Sequence, residues 1–416
     1  MRAGRRLCSP LRSAVRITCV AALALCSALV PSPVRAQEGV VALRGARLLT
    51  ITGGTVESGV ILLRGGRITA VGPNVAIPSG AEVLDLSGRT VMPGLVDAST
   101  NLGIADYPSL GTDDDEATDP LTPHLRVTDA LNPDNRFIAV ARGAGVTTAL
   151  CAPAEGNLLA GQSALIRLAG ARVEEMVVRA PVGVHVSLGE APKAQYGAKS
   201  QAPMTRMASA AMLRQALVNA KAYGEKLAQP TPPPQDAKLE ALLPVVRGEL
   251  PLIVSADRFD DIHTALRITA EFGVTMILSH GAEAHRVAAE LAARKIPVVW
   301  GPAGAPYQEL EARGGSLETP AALSAAGVMF AFQTGSIRNV TTLLDQARDA
   351  VAHGLAPEEA LRALTLYPAT IFGVVGDRGS LEVGKAADLV VFDRDPLDAL
   401  ARVEIVLIGG MRMPLG

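Results

Sequence analysis

Cysteine and aromatic residues are scarce in this chain of 416 residues. It contains four Cys, and Phe, Trp and Tyr together make up 3% of the sequence. Three of the thiols (Cys8, Cys19 and Cys26) fall in the first 36 residues, so Cys151 is the one that stands in the rest of the chain. One thiol excludes an intramolecular disulfide and a thiolate metal cluster there. Because Cys151 ends an apolar, β-branched run, we expect a buried side chain rather than a nucleophile.

Long hydrophobic runs are also missing after residue 36, where no uninterrupted apolar stretch reaches the ~18 residues of a membrane span. The first 36 residues differ from the rest. An arginine-rich start precedes the apolar run 17–30, and Val34-Arg35-Ala36 resembles a cleavage site. This pattern predicts a secretory signal peptide over 1–36, and hence an exported protein of the periplasm or the cell exterior. The sequence leaves open whether Cys26 carries a lipid.

An excess of basic charge is absent as well. The predicted signal segment holds six arginines and no acidic residue. Subtracting them from the 39 basic residues of the chain leaves 33 against 41 acidic ones, a net charge of −8. This balance argues against nucleic acid or an anionic membrane surface as a partner. We expect a small-molecule ligand instead.

Two kinds of sequence pattern alternate along the chain. Short alternating strands with glycine turns fill residues 40–90 and return after residue 379. Between them, apolar β-branched runs alternate with alanine-rich stretches of helical period, which is typical of a parallel sheet buried on both faces. About eight such units indicate an α/β fold of the (β/α)8 TIM-barrel type. The predicted domains are a barrel over 93–370 and a small β-sandwich formed by 37–92 and 371–416.

The predicted elements of the barrel have definite positions. Strands are expected at 145–150, 181–188, 251–255, 274–279, 296–300 and 328–333. Helices are expected at 135–144, 204–222, 260–272, 282–294, 318–326, 340–353 and 357–366. A proline-rich stretch at 229–234 predicts an exposed loop after the long second helix.

Five short motifs stand out along the barrel and the C-terminal strands. They are 93–98 (Pro-Gly-Leu-Val-Asp-Ala), 156–162 (Gly-Asn-Leu-Leu-Ala-Gly-Gln), 188–193 (Leu-Gly-Glu-Ala-Pro-Lys), 280–284 (His-Gly-Ala-Glu-Ala) and 379–390. Together they resemble the amidohydrolase superfamily, and most closely its imidazolonepropionase-like branch. The resemblance covers nearly all of 40–416 and implies the barrel with a β domain built from both chain ends.

The resemblance also implies where a metal site should lie. Metal hydrolysis on this fold uses a His-x-His pair after the first barrel strand, a His after the fifth, a His after the sixth and an Asp after the eighth. Some members add a Lys or a Glu after the fourth strand. The metal lowers the pKa of its bound water to about 7, and the Asp takes the proton of that water.

Most of these positions carry other residues in this chain. Two imidazoles are replaced after the first strand, and His280 keeps the family residue after the sixth. Because one imidazole holds zinc weakly, and a glycine at the Asp position cannot move a proton, we expect no tightly bound metal. In chain order, the positions carry Ser99, Asn101, His185, Ser255, Asp257, His280 and Gly335.

Two functions remain open. The first is an exported, non-catalytic family member, a pseudoenzyme, that binds a ligand or serves as a subunit beside an intact amidohydrolase paralogue or in a homo-oligomer. The alternative is an active hydrolase of C–N bonds in non-peptide or cyclic amides, or in dipeptides, with a site rebuilt around His185, Asp257 and His280. Those three side chains should meet at one end of the barrel, where they could hold one weakly bound divalent metal such as zinc. We interpret Ser99 as a filler residue rather than a nucleophile.

Overall fold

The computed structural model describes residues 39–107, 112–302 and 310–415. The predicted signal segment 1–36, together with Cys26, lies outside these residues. The described residues from Gly39 onward belong to one unit. Within them, no helix has both the length and the apolar character that a membrane crossing requires.

In the described part of the chain, one sheet is built from both chain ends. Its strands lie in the order β18-β17-β16-β5-β1-β2-β3, and β4 pairs with β1 beside β5. Because β16 pairs antiparallel with β5, the C-terminal strands join the N-terminal ones in the middle of the sheet. Labels follow chain order through the whole molecule, and the strands are β1 (Val41–Leu49), β2 (Thr55–Arg64), β3 (Arg67–Gly72), β4 (Glu82–Asp85), β5 (Thr90–Pro93), β16 (Leu389–Phe392), β17 (Val403–Ile408) and β18 (Met411–Arg412).

The middle of the chain forms parallel strands that alternate with helices. β6 pairs in parallel with β7, and β11 to β15 pair in parallel in chain order. Three shorter strands lie between these groups, with β9 antiparallel to β7 and β8 antiparallel to β11. The strands are β6 (Leu95–Thr100), β7 (Val146–Cys151), β8 (Leu159–Gln162), β9 (Ala164–Arg167), β10 (Val177–Arg179), β11 (Val184–Ser187), β12 (Leu252–Ala256), β13 (Met276–His280), β14 (Val298–Trp300) and β15 (Phe330–Phe332).

Capping residues set the ends of several helices. The side chains of Asn135, Thr205 and Asp236 accept backbone N–H groups at the starts of α1, α4 and α5. Gly273 ends α6 in the left-handed conformation. The helices are α1 (Arg136–Gly143), α2 (Val173–Met176), α3 (Glu190–Gly197), α4 (Arg206–Leu227), α5 (Ala237–Val246), α6 (Phe259–Phe272), α7 (Ala288–Ala293), α8 (Thr319–Ala325), α9 (Leu343–Ala352), α10 (Pro357–Leu364) and α11 (Leu366–Ile371).

Polar bridges span the gap between β15 and β6. Strand pairing among the described residues ends at β15 on one side and at β6 on the other. The carboxylate of Asp97 crosses this gap and accepts two hydrogen bonds from Thr334. Two further bridges run from the Gly335 N–H to the Ser99 carbonyl and from the Ile337 N–H to the Asn101 side chain. We call this set of contacts the seam, and it joins the first and last barrel strands at their C-terminal ends.

Small and branched aliphatic side chains fill most of the interior, as the scarcity of aromatics requires. Ala98, Leu150, Ile253, Ile277 and Val299 come from five different barrel strands and form one buried cluster. Cys151 is also buried, and burial raises the pKa of its thiol well above the usual range. The expectation of a buried thiol is therefore confirmed.

The sequence predictions for the barrel elements agree with the structure, with identifiable exceptions. The predicted helix 282–294 begins as a 3-10 turn at Ala284–Val287, so α7 starts later. β8, β9 and β10 were not predicted, because strands of three or four residues are too short to show a period. Helix α3 was also missed, since it contains Pro192 and follows Gly189, whose φ is +115°. Helices α2, α5 and α11 were not predicted either.

Candidate functional site

The parallel strands bring several predicted site residues to one end of the barrel, here called the barrel mouth. Ser255 lies in register with Ser279, Ala256 with His280, and His280 with Trp300. Asp257 follows the last residue of β12, so it lies beside His280, the last residue of β13. Side chains at the C-terminal ends of barrel strands are those from which such barrels build their sites.

His280 lies between two carboxylates. Its Nε2 is 2.6 Å from Oε1 of Glu155, and its Nδ1 is 3.8 Å from Oδ2 of Asp257. Glu155 comes from the loop after β7. Asp257 is held by the N–H of Ala282, which donates to its Oδ1 at 3.0 Å. The φ of His280 is +67°, a left-handed conformation that costs energy in a residue with a side chain and tends to occur at functional sites.

The carboxyl group of Glu155 is held in its ionised form. Burial alone would raise its pKa, but the charge and the hydrogen bond of His280 outweigh burial. The Ser255 hydroxyl also donates to this carboxylate, and the pKa of Glu155 falls to about 2. An opposite charge and donated hydrogen bonds both favour the ionised carboxylate, so Glu155 is negative throughout the physiological pH range.

The imidazole of His185 is buried next to this pair. The residue is 6% exposed. Burial lowers the pKa of His185 to about 4, against an opposing effect from the Glu155 carboxylate. Its Nε2 finds no hydrogen-bond partner among the described residues. At neutral pH, His185 is therefore an uncharged imidazole close to Glu155 and His280.

The polar side chain at the end of β6 is committed to the seam. Oδ1 of Asn101 accepts the N–H of Ile337 at 2.8 Å, and its Nδ2 donates to Oδ2 of Asp114 at 2.8 Å. The neighbouring Ser99 has its carbonyl bonded to the Gly335 N–H at 2.9 Å. Within the described ranges, no hydrogen bond joins the Ser99 hydroxyl to an imidazole, and its interpretation as a filler residue stays a prediction.

A cavity of about 770 Å³ opens at the barrel mouth. Glu155, Asp257 and His280 line it together with Trp300 and Gly335. Further lining comes from the segment after β15 and from α9, which contribute Arg338, Asp345 and Asp349. This volume suits a small molecule. The carboxylate–imidazole pair in its wall can exchange a proton with a bound molecule.

Comparison with solved structures identifies the family. An amidohydrolase from Thermotoga maritima MSB8 superposes with a TM-score of 0.86 at 36% sequence identity, over 90% of this chain and 99% of that chain. The chain belongs to the amidohydrolase family. The model of that family, described as "Amidohydrolase family", matches residues 255–410.

Curated relatives of this amidohydrolase-family chain point to the same branch. An imidazolonepropionase of Caulobacter vibrioides (strain NA1000 / CB15N) is 28% identical over 396 residues, covering 84% of the chain and 92% of that protein. The amidohydrolase tasK of Hapsidospora irregularis is 26% identical over 375 residues, which cover 81% of the chain but 38% of the relative. The imidazolonepropionase-like assignment and the TIM barrel with a separate β-rich domain are thereby confirmed.

The structure of this amidohydrolase-family chain brings some predicted site residues together and separates others. Asp257, His280 and Gly335 line the cavity. Ser255 and His185 lie close to Glu155 and do not line it. Ser99 and Asn101 take part in the seam.

Sequence reasoning missed Glu155. The residue lies in the segment Ala152-Pro153-Ala154-Glu155, directly before the motif 156–162. An available signal was an acidic residue soon after a buried parallel strand, since such strands all end at the barrel mouth. Its contact with His280 joins loops far apart in the chain, and no local pattern predicts that pairing.

Proposed function

We propose that this amidohydrolase-family chain binds a small molecule at the barrel mouth and does not carry out metal-dependent hydrolysis. The proposal rests on what the side chains do at the positions where the family resemblance places metal ligands. Those positions hold groups that serve the seam, contact Glu155, accept the Ala282 N–H or lack a ligand atom. The cavity nevertheless keeps the size and polar lining of a binding site.

The contact made by Asn101 carries the proposal. Its side-chain oxygen accepts the Ile337 N–H and its nitrogen donates to Asp114, so both ends of the amide are used within the protein. This residue stands where the resemblance places the second imidazole of the first pair. A metal at this position would have to bind a neutral amide oxygen that the seam already holds in place, instead of an imidazole nitrogen.

Two other positions support the same conclusion. The Nε2 of His280, the one imidazole retained from the family pattern, faces Glu155 at 2.6 Å rather than an open coordination position. Gly335 stands at the proton-transfer position and has no side chain to accept a proton. Among the described residues, no group of three or more His, Cys, Asp or Glu is arranged to hold a metal ion. The donor set present therefore fits the family's metal poorly.

The cellular context is part of the same proposal. The arginine-rich, apolar start of the chain supports export to the periplasm or the cell exterior. A protein that keeps the family's scaffold and lacks its metal ligands suits a role as a ligand-binding partner of an intact amidohydrolase paralogue. Purification from its native source would then yield the paralogue in the same complex. Isolation solely as a homo-oligomer would contradict this partner version.

A second candidate is hydrolysis of C–N bonds without a tightly held metal. The short contact between Glu155 and His280, with Asp257 on the other imidazole nitrogen, favours it. Such a chain of carboxylate and imidazole groups can remove a proton from water or donate one to a leaving amine. It extends the set His185, Asp257 and His280 expected from the sequence by one residue, Glu155.

One activity experiment separates the two candidates. The purified protein is incubated with zinc, manganese, nickel or iron, and then assayed against amides, cyclic amides and dipeptides with and without a chelator. We expect no turnover. Turnover that requires an added metal would overturn the proposal.

Turnover that persists with the chelator would instead establish the second candidate. In that case His280→Ala should abolish the rate without unfolding the protein, and Glu155→Gln should reduce it strongly. His353→Ala is the matched control, because His353 is exposed and its ring bonds the carbonyl of Asp349.

A further inference from the structure

The barrel-mouth cavity carries more negative than positive charge. Asp345 is offset by a salt bridge of 2.7 Å within α9, to an arginine that does not line the cavity. The remaining charges still favour a positive ligand over a negative one. Among the described residues that line the cavity, the acidic and basic groups are the carboxylates of Glu155, Asp257, Asp345 and Asp349 and the guanidinium of Arg338.

The excess of negative charge is local to the Glu155 and His280 end of the cavity. Glu155 and Asp257 lie on opposite nitrogens of the same imidazole. If His280 is protonated, the three groups together carry one negative charge, and if it is neutral they carry two. The sign of the local charge is therefore the same in either state of His280.

An aromatic ring borders this charge. Trp300 lines the same cavity and lies in register with His280 on the neighbouring strand. Its indole packs edge-on against Phe332, with the ring centroids 6.0 Å apart. Indole is the side chain that attracts cations most strongly through its ring. Carboxylates beside an indole form a suitable environment for an organic cation.

We propose that the cavity binds a small organic cation of the guanidinium or ammonium class, with Glu155 and Asp257 as its counter-charges. This inference rests on the proposed ligand-binding role of the barrel mouth and specifies the ligand. A guanidinium can donate paired N–H groups to a carboxylate, which adds directional hydrogen bonds to the charge attraction. A neutral molecule of the same shape lacks the charge and part of this donor set.

The fluorescence of Trp300 provides the test, because the chain has one tryptophan. The purified protein is titrated with butylguanidinium, with butylammonium and with butylurea, which has the shape of butylguanidinium without its charge. We expect saturable changes in emission with both cations, and affinity at least about tenfold weaker for butylurea because a charge-assisted hydrogen bond is lost. Equal affinity for the urea, or no saturable change with either cation, would overturn the inference.

Variants then locate the interaction. Glu155→Gln and Asp257→Asn keep the size of each side chain and remove its charge, so each should weaken butylguanidinium binding about tenfold. Glu82→Gln makes the same chemical change on an exposed strand of the β domain and should leave binding unchanged. Thermal unfolding of each variant shows whether it is folded. Cation binding that is insensitive to both cavity variants while they remain folded would contradict the assignment.

The result of the cation titration is independent of the activity assay that tests the proposed function. Butylguanidinium binding is measured without metal and without turnover, so metal-dependent hydrolysis could be found while the cation preference stands. Conversely, failure of the cation to bind, with no metal-dependent turnover, would remove this inference and leave the proposed absence of metal hydrolysis intact.

Discussion

The carboxylate of Asp97 accepts two hydrogen bonds from Thr334, from its N–H at 2.9 Å and from its hydroxyl at 2.5 Å. Both residues are fully buried. Asp97 belongs to the first barrel strand, and Thr334 follows the last one. The contact therefore joins β6 to the end of β15, two barrel strands that do not pair with each other in the described residues. It is the most buried element of the seam.

Removal of this carboxylate should destabilise the whole barrel. Asp97→Ala leaves the N–H and the hydroxyl of Thr334 buried without an acceptor, and we expect a loss of about 2–4 kcal/mol in the free energy of unfolding. Urea unfolding followed by circular dichroism measures this loss. Asp97→Asn keeps one acceptor oxygen and should cost less. Asp134→Ala, at an exposed turn, is the control, and an equal effect of all three variants would argue against the seam.

Two buried groups, Asp97 and His185, should change the stability of the protein with pH in opposite directions. Burial raises the pKa of Asp97 to about 7, against its hydrogen bonds with Thr334 and Ser99. The unfolded value is about 3.9, so the folded state binds the extra proton between those pH values. The contribution of Asp97 to stability is therefore full below pH 4 and is lost as the pH rises to 7.

His185 acts in the other direction. Burial lowers its pKa to about 4, and the unfolded value is about 6.5. Between these values the unfolded state holds more protons, so the contribution of His185 to stability grows as the pH rises. Each group contributes a slope of at most about 1.4 kcal/mol per pH unit.

The opposing effects of Asp97 and His185 on the free energy of unfolding largely cancel in the wild type. Single variants reveal how each effect changes with pH. Between pH 4 and 6.5, stability should rise more steeply with pH in Asp97→Asn than in the wild type, since the opposing group is gone. In His185→Gln it should fall more steeply with pH. Urea unfolding at half-unit pH steps gives both differences. Parallel profiles for all three proteins would show that neither group titrates as described.

Arg206 connects the wall of the cavity to the helices behind it. Its guanidinium donates to Asp261 at 2.9 Å, to Glu190 at 2.7 Å and to Glu311 at 2.7 Å. Asp261 is almost fully buried, so Arg206→Met leaves a buried carboxylate without its partner. We expect a loss of about 3 kcal/mol, whereas Arg214→Met on the same helix, which breaks an exposed pair, should cost less than about 1 kcal/mol.

The position of Glu311 adds a local consequence. The neighbouring Ala312, Gly315, Ser316 and Leu317 line the cavity. Amide hydrogen exchange in 311–317 should therefore accelerate in Arg206→Met and stay unchanged in Arg214→Met. Arg206→Lys should not restore protection, because an ammonium cannot replace the guanidinium on three carboxylates. Unaltered exchange in Arg206→Met would show that the wall is held by other contacts.

Restoring one family residue at the seam should not restore a metal site. Asn101→His introduces an imidazole where the amide bonds both Ile337 and Asp114. We expect no gain in bound zinc, because the ring nitrogens must replace those two bonds, and a loss of about 1–2 kcal/mol in stability because the ring is larger. Zinc content and urea unfolding check the two parts. One zinc per chain in this variant would contradict the role assigned to Asn101.

Much of the fold could be predicted from the sequence, because its signals are local. Apolar β-branched runs and alanine-rich helical stretches mark the barrel elements, and motifs such as 379–390 carry the family resemblance. The sequence also predicts that Ser99, Asn101 and Gly335 depart from the family pattern. What these residues do instead could not be predicted, since the seam depends on how the first and last strands meet in space.

The site itself was only partly predictable. Asp257 and His280 were expected at the barrel mouth because parallel strands end at the same edge. Glu155 was missed because it lies in an irregular loop and because its partner is distant in the chain. His185 was expected to line the site. Its side chain is instead buried beside Glu155, in the barrel interior below the cavity. Strand order predicts neighbours, whereas the depth of a side chain depends on packing.

We expect the barrel mouth to lack the family's metal, and the metal content of the protein tests this expectation directly. The purified protein is analysed by plasma mass spectrometry before and after incubation with zinc, manganese, nickel and iron, with protein quantified in the same sample. We expect near-zero metal in every case, the same as in His280→Ala. A stoichiometric metal in the wild type that disappears in His280→Ala would contradict it.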